Sequence, residues 1–233
     1  SVSAFLLNRS SDLEIGVVAT YATEYGLRVN GKNITSTGTI SAGQTKGTIS
    51  WDGTSTLTFD GVELNTSSTI VEYTGSIANF YIVLKGNNVL SSSSRGFYFS
   101  PSSSSSNLRI KGERHVNGTT TITTKAGYPA IWMQSGNTLY LRYLYLNANG
   151  GKYAITGQGT QKLDVSEVVL NAKTTESGYG AVTDFGSASF NSKDAYLTTG
   201  SFNSSKKAVC DASGTPLQEV QTDASLFVGQ AIV

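Results

Sequence analysis

The chain has 233 residues, of which 38% are apolar and 14% charged, and a formal net charge of +1. The apolar share supplies a core, and so low a charge excludes a charge-swollen disordered chain. The balanced charge also removes any overall field that would draw the protein to nucleic acid or to a membrane surface, so electrostatic function must come from local patterning.

Residues 1–50 lie outside the repeat described next and are expected to form capping strands. Residues 26–34 and 48–53 read as hairpin-like segments, with Trp51 in the cap. From Leu57 onward, apolar residues recur at offsets 0, 2, 5 and 7. The copies begin Leu57, Phe59, Val62, Leu64, then Ile82, Leu84, Asn87, Val89, with Asn87 as the odd member. Leu108 and Ile110 start a third copy that breaks. Leu139, Leu141, Leu144, Leu146 and Leu163, Val165, Val168, Leu170 are regular and share an Asn-Ala tail. Phe190, Ser192, Ala195 and Leu197 repeat the spacing with smaller residues. The steps between starts are 25, 26, 31, 24 and 27 residues. A period of that size means one supersecondary unit, repeated and stacked.

A second motif alternates with the first. It reads Gly127-Tyr128-Pro129-Ala130-Ile131, Tyr153-Ala154-Ile155 and Gly178-Tyr179-Gly180-Ala181-Val182, with a degenerate copy at Gly96-Phe97-Tyr98-Phe99. The long step is assigned to a loop around residues 113–118, with a strand resuming at 120–122. The serine runs at 91–94 and 102–106 read as surface loops. Residues 208–233 are expected to close the far end. They hold the single cysteine, Cys210, which has no intrachain disulfide partner and reads as a small buried residue.

The offsets carry geometry. Residues two apart on a strand share a face, so offsets 0 and 2 point one way. Offset 5 would point the other way unless the chain bends at offsets 3 and 4. Glycine at offset 4 in three copies, Gly61, Gly86 and Gly112, provides the permissive backbone such a corner needs. Short strands meeting at corners with their apolar residues inward describe a β-solenoid. The sequence therefore predicts an all-β chain: one right-handed parallel β-helix of about six to eight coils over residues 51–207, with irregular terminal caps. A leucine-rich repeat would show a helical period, and a propeller blade needs about 40–45 residues.

The segment 26–33, the octet from Leu57 to Leu64 and the repeated Leu-x-Leu…Leu-Asn-Ala runs together resemble bacterial secreted β-helix proteins, over roughly residues 26–215. Some members of that group are carbohydrate-binding β-helix domains. The resemblance implies a secreted or cell-surface location and polysaccharide binding; no catalytic motif carries over. The chain opens Ser1-Val2-Ser3 and is read as a processed or truncated product, so secretion is expected from composition and resemblance. No apolar run approaches the roughly 20 residues of a membrane span.

Stacking turns offsets into columns about 4.8 Å apart. The outward column at offset 3 is expected to read Asp60, Lys85, Lys111, Arg142, Ser166 and Lys193, with Arg109, Tyr140 and Asp164 alongside at offset 1. Lys85, Arg109, Lys111, Tyr140, Arg142, Tyr143 and Tyr145 are the candidate ligand-binding residues. Tyrosine rings stack on sugars, and cations pair with the carboxylates of an acidic polymer. The competing reading is that the long cations splay into water and cover apolar surface. Trp132 is a candidate outward stacking residue, and Tyr128, Tyr153 and Tyr179 are read as a packed ladder between coils.

Glu167 and Asp194 share offset 4 in adjacent coils and Asp164 is close in sequence, a set that could hold a cation such as Ca²⁺; solvated turn carboxylates partnered by lysine are the alternative, and no cofactor is expected. His115, the sole histidine, falls in the 113–118 loop without a nucleophile elbow. No acid/base carboxylate pair stands out. The five Asn-x-Ser/Thr sequons, at Asn8, Asn33, Asn65, Asn117 and Asn203, are what chance gives in so Ser/Thr/Asn-rich a chain. The expected function is a non-catalytic secreted or surface protein, glycan-binding or adhesive, with a polysaccharide or a host or bacterial surface glycan as partner. The alternatives are a polysaccharide lyase or glycoside hydrolase of β-helix fold, and a purely structural module of a larger surface protein.

Overall fold

The structure is a computed structural model, and it describes residues 2–5, 16–19, 24–113, 118–190 and 195–224. Among these residues every regular element is a β-strand. The inward offsets are the predicted ones in the regular copies, but in the second copy Asn88 and Leu90 point inward in place of the predicted Asn87 and Val89, and Val89 is exposed. Along Thr56–Thr66 the buried side chains are Leu57, Phe59, Val62, Leu64 and Thr66. Along Lys162–Thr174 they are Leu163, Val165, Val168, Leu170, Ala172 and Thr174.

Each turn is a bent strand followed by a short return strand. The bent strands are Thr56–Thr66, Asn79–Lys85 with Asn88–Ser92, Asn107–Lys111 with Thr119–Thr124, Thr138–Gly150 and Lys162–Thr174. They pair in parallel within one sheet. The return strands Val71–Tyr73, Phe97–Phe99, Ile131–Met133, Ile155–Thr156 and Val182–Thr183 stack in parallel in a second sheet. The second sequence motif thus marks return strands, and Val71–Tyr73 adds a copy that the motif missed.

This makes a β-solenoid of about five turns, which corrects the expected six to eight. The chain reverses at both ends instead of coiling further. Lys46–Trp51 lies antiparallel on Thr56–Thr66, and Leu27–Val29 lies antiparallel on Val71–Tyr73. At the other end Ala208–Cys210 pairs antiparallel with Val182–Thr183, and Glu219–Asp223 with Lys162–Thr174. The parallel strand Ser187–Phe190 begins a sixth coil. Of the rest of the predicted sixth copy, residues 191–194 lie outside the described residues, as does His115, and Tyr196–Leu197 pairs antiparallel with Glu219–Asp223 instead of continuing the coil. Val2–Phe5 and Gly16–Ala19 form a separate antiparallel pair. Antiparallel reversals cover backbone donors and acceptors that an open coil edge would expose. The turn leading from the cap into the first coil is tied by Asp52. Partial burial pushes its carboxyl upward, but the N–H groups of Thr54, Ser55 and Thr56 donate to Oδ1 at 2.8–2.9 Å and hold the pKa down at about 2.

The corner sits where the offsets require it, with one change of residue. Gly61 and Gly86 are left-handed, at φ 61° and 59°. The equivalent residues of the last two coils are Tyr143 and Glu167, also left-handed at φ 53° and 54°. Gly112 is not left-handed; a Cβ there would collide with the Tyr143 carbonyl oxygen, so it serves close approach instead. At Gly61 an added Cβ meets nothing within 4 Å. Gly61→Ala is therefore expected to cost about 1–2 kcal/mol through backbone conformation alone, and Gly61→Asn clearly less. Urea denaturation of both variants checks this; equal losses would rule the explanation out.

Besides the one-residue shift after the second corner, where Leu90 and not Val89 faces Leu64, the register departs from the predicted alignment at two places. Leu57 pairs with Ile82, and Leu108 with Leu139 and then Leu163, as expected. Ile82, however, faces Ile110, while Leu108 faces Phe80. Leu163 faces Ala188, while Phe190 faces Val165. Both departures are slips of two residues, which leave every side chain on its own face. The first is set by Phe80, which adds an inward residue ahead of Ile82 and stacks on Tyr73 with ring centroids 4.2 Å apart.

Candidate functional site

The true register defines the outward columns. One reads Thr56, Tyr81, Arg109, Tyr140, Asp164, Ser189, and the next Thr58, Val83, Lys111, Arg142, Ser166. This corrects the predicted stack of Lys85, Lys111 and Arg142. Lys85 lies beside Asp60, and Lys111 beside Val83. Three like charges on consecutive strands would repel, and the two-residue slip separates one of them.

What the register builds is a ladder of alternating rings and cations. The Arg109 guanidinium carbon lies 4.1 Å from the Tyr140 ring centroid and 5.9 Å from that of Tyr81. Lys111 Nζ is 5.3 Å from the Tyr81 ring, and the Arg142 guanidinium is 5.1 Å from Tyr140. Such contacts contribute roughly 0.5–1 kcal/mol each at exposed sites. Arg142 is committed elsewhere: it pairs with the Asp164 carboxylate at 3.0 Å and donates to the Asp164 and Leu141 carbonyls. Arg109 donates to Asn79 Oδ1 at 3.0 Å. Among the described residues no carboxylate pairs with Arg109 or Lys111. Lys85 pairs with Glu113 at 2.6 Å, and that hydrogen bond raises its pKa.

Lys85, Lys111 and Tyr143 line one open cavity of about 640 Å³, together with Val83 and Glu113. The structure thus brings Lys85 and Lys111 to one hollow although it denies them one column. The three tyrosines do not form one platform. Tyr140 precedes the corner, Tyr143 is the corner, and Tyr145 follows it, opposite Thr119 and Val169. Tyr143 and Tyr145 each have a partner within the chain.

Of the three candidate cation ligands, two lie among the described residues. Asp164 is engaged by Arg142, Glu167 occupies a left-handed corner, and Asp194 lies outside the described residues. The alignment that set Glu167 beside Asp194 is the one displaced by two residues at Phe190. Among the described residues no group of three or more His, Cys, Asp or Glu is placed to hold a metal ion. Among them, too, no helix is long and apolar enough to cross a membrane.

Sequence reasoning left the outer face of the second sheet nearly unread. Its column runs Glu72, Tyr98, Trp132, Thr156, Thr183. The Arg95 guanidinium lies 4.5 Å from the Tyr98 ring and 5.1 Å from Trp132. The signal in the sequence is the pair of triads Phe97-Tyr98-Phe99 and Ile131-Trp132-Met133, each with an outward aromatic between two buried residues. Tyr153 and Tyr179 meet edge-on at 5.3 Å, with Lys152 Nζ 4.8 Å from the Tyr179 ring. Tyr128 remains exposed. Beside Trp132 a cleft of about 470 Å³ opens, walled by Trp132, Tyr153, Lys152, Gln158, Asp184 and Lys207. No family model, curated protein or solved structure matches the chain.

Proposed function

We propose that the protein is a non-catalytic, secreted or surface-displayed β-solenoid of bacterial type that binds acidic glycan along the Tyr81–Arg109–Tyr140 ladder. The carrying observation is that Arg109 and Lys111 face tyrosine rings rather than carboxylates among the described residues. Two cations that pair with no carboxylate among the described residues, Lys111 lining an open cavity beside the Lys85–Glu113 pair, fit the carboxylates or sulfates of a polymer. The tyrosine rings beside them supply apolar surface for a sugar ring. Arg142 is the wrong residue to remove first, because its loss would also strand Asp164.

A glycan array carrying neutral, carboxylated and sulfated glycans tests the reading. Wild type is expected to bind acidic glycans. Arg109→Ala/Lys111→Ala, which removes two charge-assisted hydrogen-bond donors, is expected to bind them at least about tenfold less. Wild-type binding confined to neutral glycans, or unchanged in the double variant, would remove the ladder as the site.

A further inference from the structure

We propose that the cleft beside Trp132 is a second binding site, on the other sheet, and that it takes a neutral sugar unit. It forms where the C-terminal reversal begins. Thr183 pairs antiparallel with Ala208, so Asp184 and Lys207 stand across from each other at the strand ends. Both are left-handed, at φ 60° and 54°. Two of the five left-handed non-glycine residues among the described residues therefore line this one cleft. Backbone strain of that kind persists where the surroundings fix it, and it clusters at ligand sites. Here it is fixed from behind: Phe185 is fully buried, its N–H donates to the Lys207 carbonyl at 3.2 Å, and Gly159 N–H donates to the Asp184 carbonyl at 2.5 Å.

The walls suit hydroxyls. A hydroxyl both donates and accepts, so it matches a site offering both kinds of partner. Asp184 offers carboxylate oxygens, Lys207 and Lys152 offer N–H donors, and the Gln158 amide offers both. Thr156 Oγ1 donates toward Asp184 Oδ2 at 3.3 Å, which orients the carboxylate. Trp132 and Tyr153 add the aromatic surface that an apolar sugar face covers. The volume of about 470 Å³ lies within the range of small-ligand pockets. Asp184 offsets one of the two lysine charges in the cleft, whereas Arg109 and Lys111 pair with no carboxylate among the described residues, so an anionic sugar is drawn to the ladder more strongly than to the cleft.

The test uses the intact chain and tryptophan emission. The protein has two tryptophans, and Trp51 is buried in the core, so Trp132 is the one placed to respond. Cellotriose, maltotriose, xylotriose and the N-acetylglucosamine trimer are titrated in turn, with trigalacturonate as the acidic control. At least one neutral trisaccharide is expected to change the emission saturably at millimolar concentration or below. Asp184→Asn, which keeps the left-handed backbone accessible, is expected to weaken that binding about tenfold. Lys207→Gly is expected to weaken it while leaving the fold at least as stable, because glycine relieves the strain. Arg109→Ala/Lys111→Ala is expected to leave it unchanged, so this site and the ladder fail separately. No saturable change with any neutral trisaccharide, a response to trigalacturonate alone, or equal binding by wild type and Asp184→Asn would each overturn the proposal.

Discussion

Phe80→Ala is expected to lower the unfolding free energy by about 3–5 kcal/mol, the range for deleting a fully buried phenylalanine. The ring is wholly buried. It stacks on Tyr73 at 4.2 Å and lies 5.8 Å from Trp51 and 6.1 Å from Phe99. It therefore joins the cap, through Trp51, to the return strands of the first two coils. Its truncation leaves a cavity walled by rings on adjacent turns, which cannot close without shifting coils against each other. Phe80→Leu should recover part of the loss. Urea denaturation measures all three proteins; a cost below about 1 kcal/mol for Phe80→Ala would mean that the aromatic stack does not carry this end of the solenoid.

Asn88→Leu is expected to cost about 2–4 kcal/mol, although leucine has the same branching and is more apolar. Asn88 is fully buried in a column of apolar and threonine side chains. Its Oδ1 accepts the Val62 N–H at 2.9 Å, and its Nδ2 donates to the Lys85 carbonyl at 3.0 Å and to Thr120 Oγ1 at 3.2 Å. Leucine would strand those buried groups, and each orphan costs about 1–3 kcal/mol. The neighbouring Asn87 is the contrast. Its Oδ1 accepts the Thr119 N–H in an exposed position, so Asn87→Leu should cost within about 1 kcal/mol. If the two substitutions cost the same, Asn88 does not hold the interior position described.

That pair of asparagines shows where sequence reading stops. The alternation of strands and the bend at offset 4 follow from which residues must face inward, and both are legible at Leu57–Leu64 and Leu139–Leu146. Spacing puts Asn87 in the interior, because it falls at offset 5. Asn88 takes that place because its three hydrogen bonds decide the matter, and spacing carries no information about them. The slips at Leu108 and Phe190 have the same root. A shift of two residues preserves every inward and outward assignment, so hydrophobic pattern cannot detect it. The candidate ligand residues inherit that ambiguity. Arg109 and Tyr140 are adjacent as expected because their coils align without a slip. Lys85 and Lys111 do not stack because theirs slip by two. Asp184 and Lys207 cannot be brought together from sequence at all, since an antiparallel reversal joins segments that no repeat relates.

Binding of an acidic polysaccharide to the ladder is the central claim, and titration calorimetry of polygalacturonate into the intact protein at low and at physiological salt tests it most directly. Association should be measurable at low salt, weaken several-fold as salt screens the Arg109 and Lys111 charges, and be largely lost in Arg109→Ala/Lys111→Ala. Absence of binding at low salt, or binding that neither salt nor the double substitution changes, would contradict it.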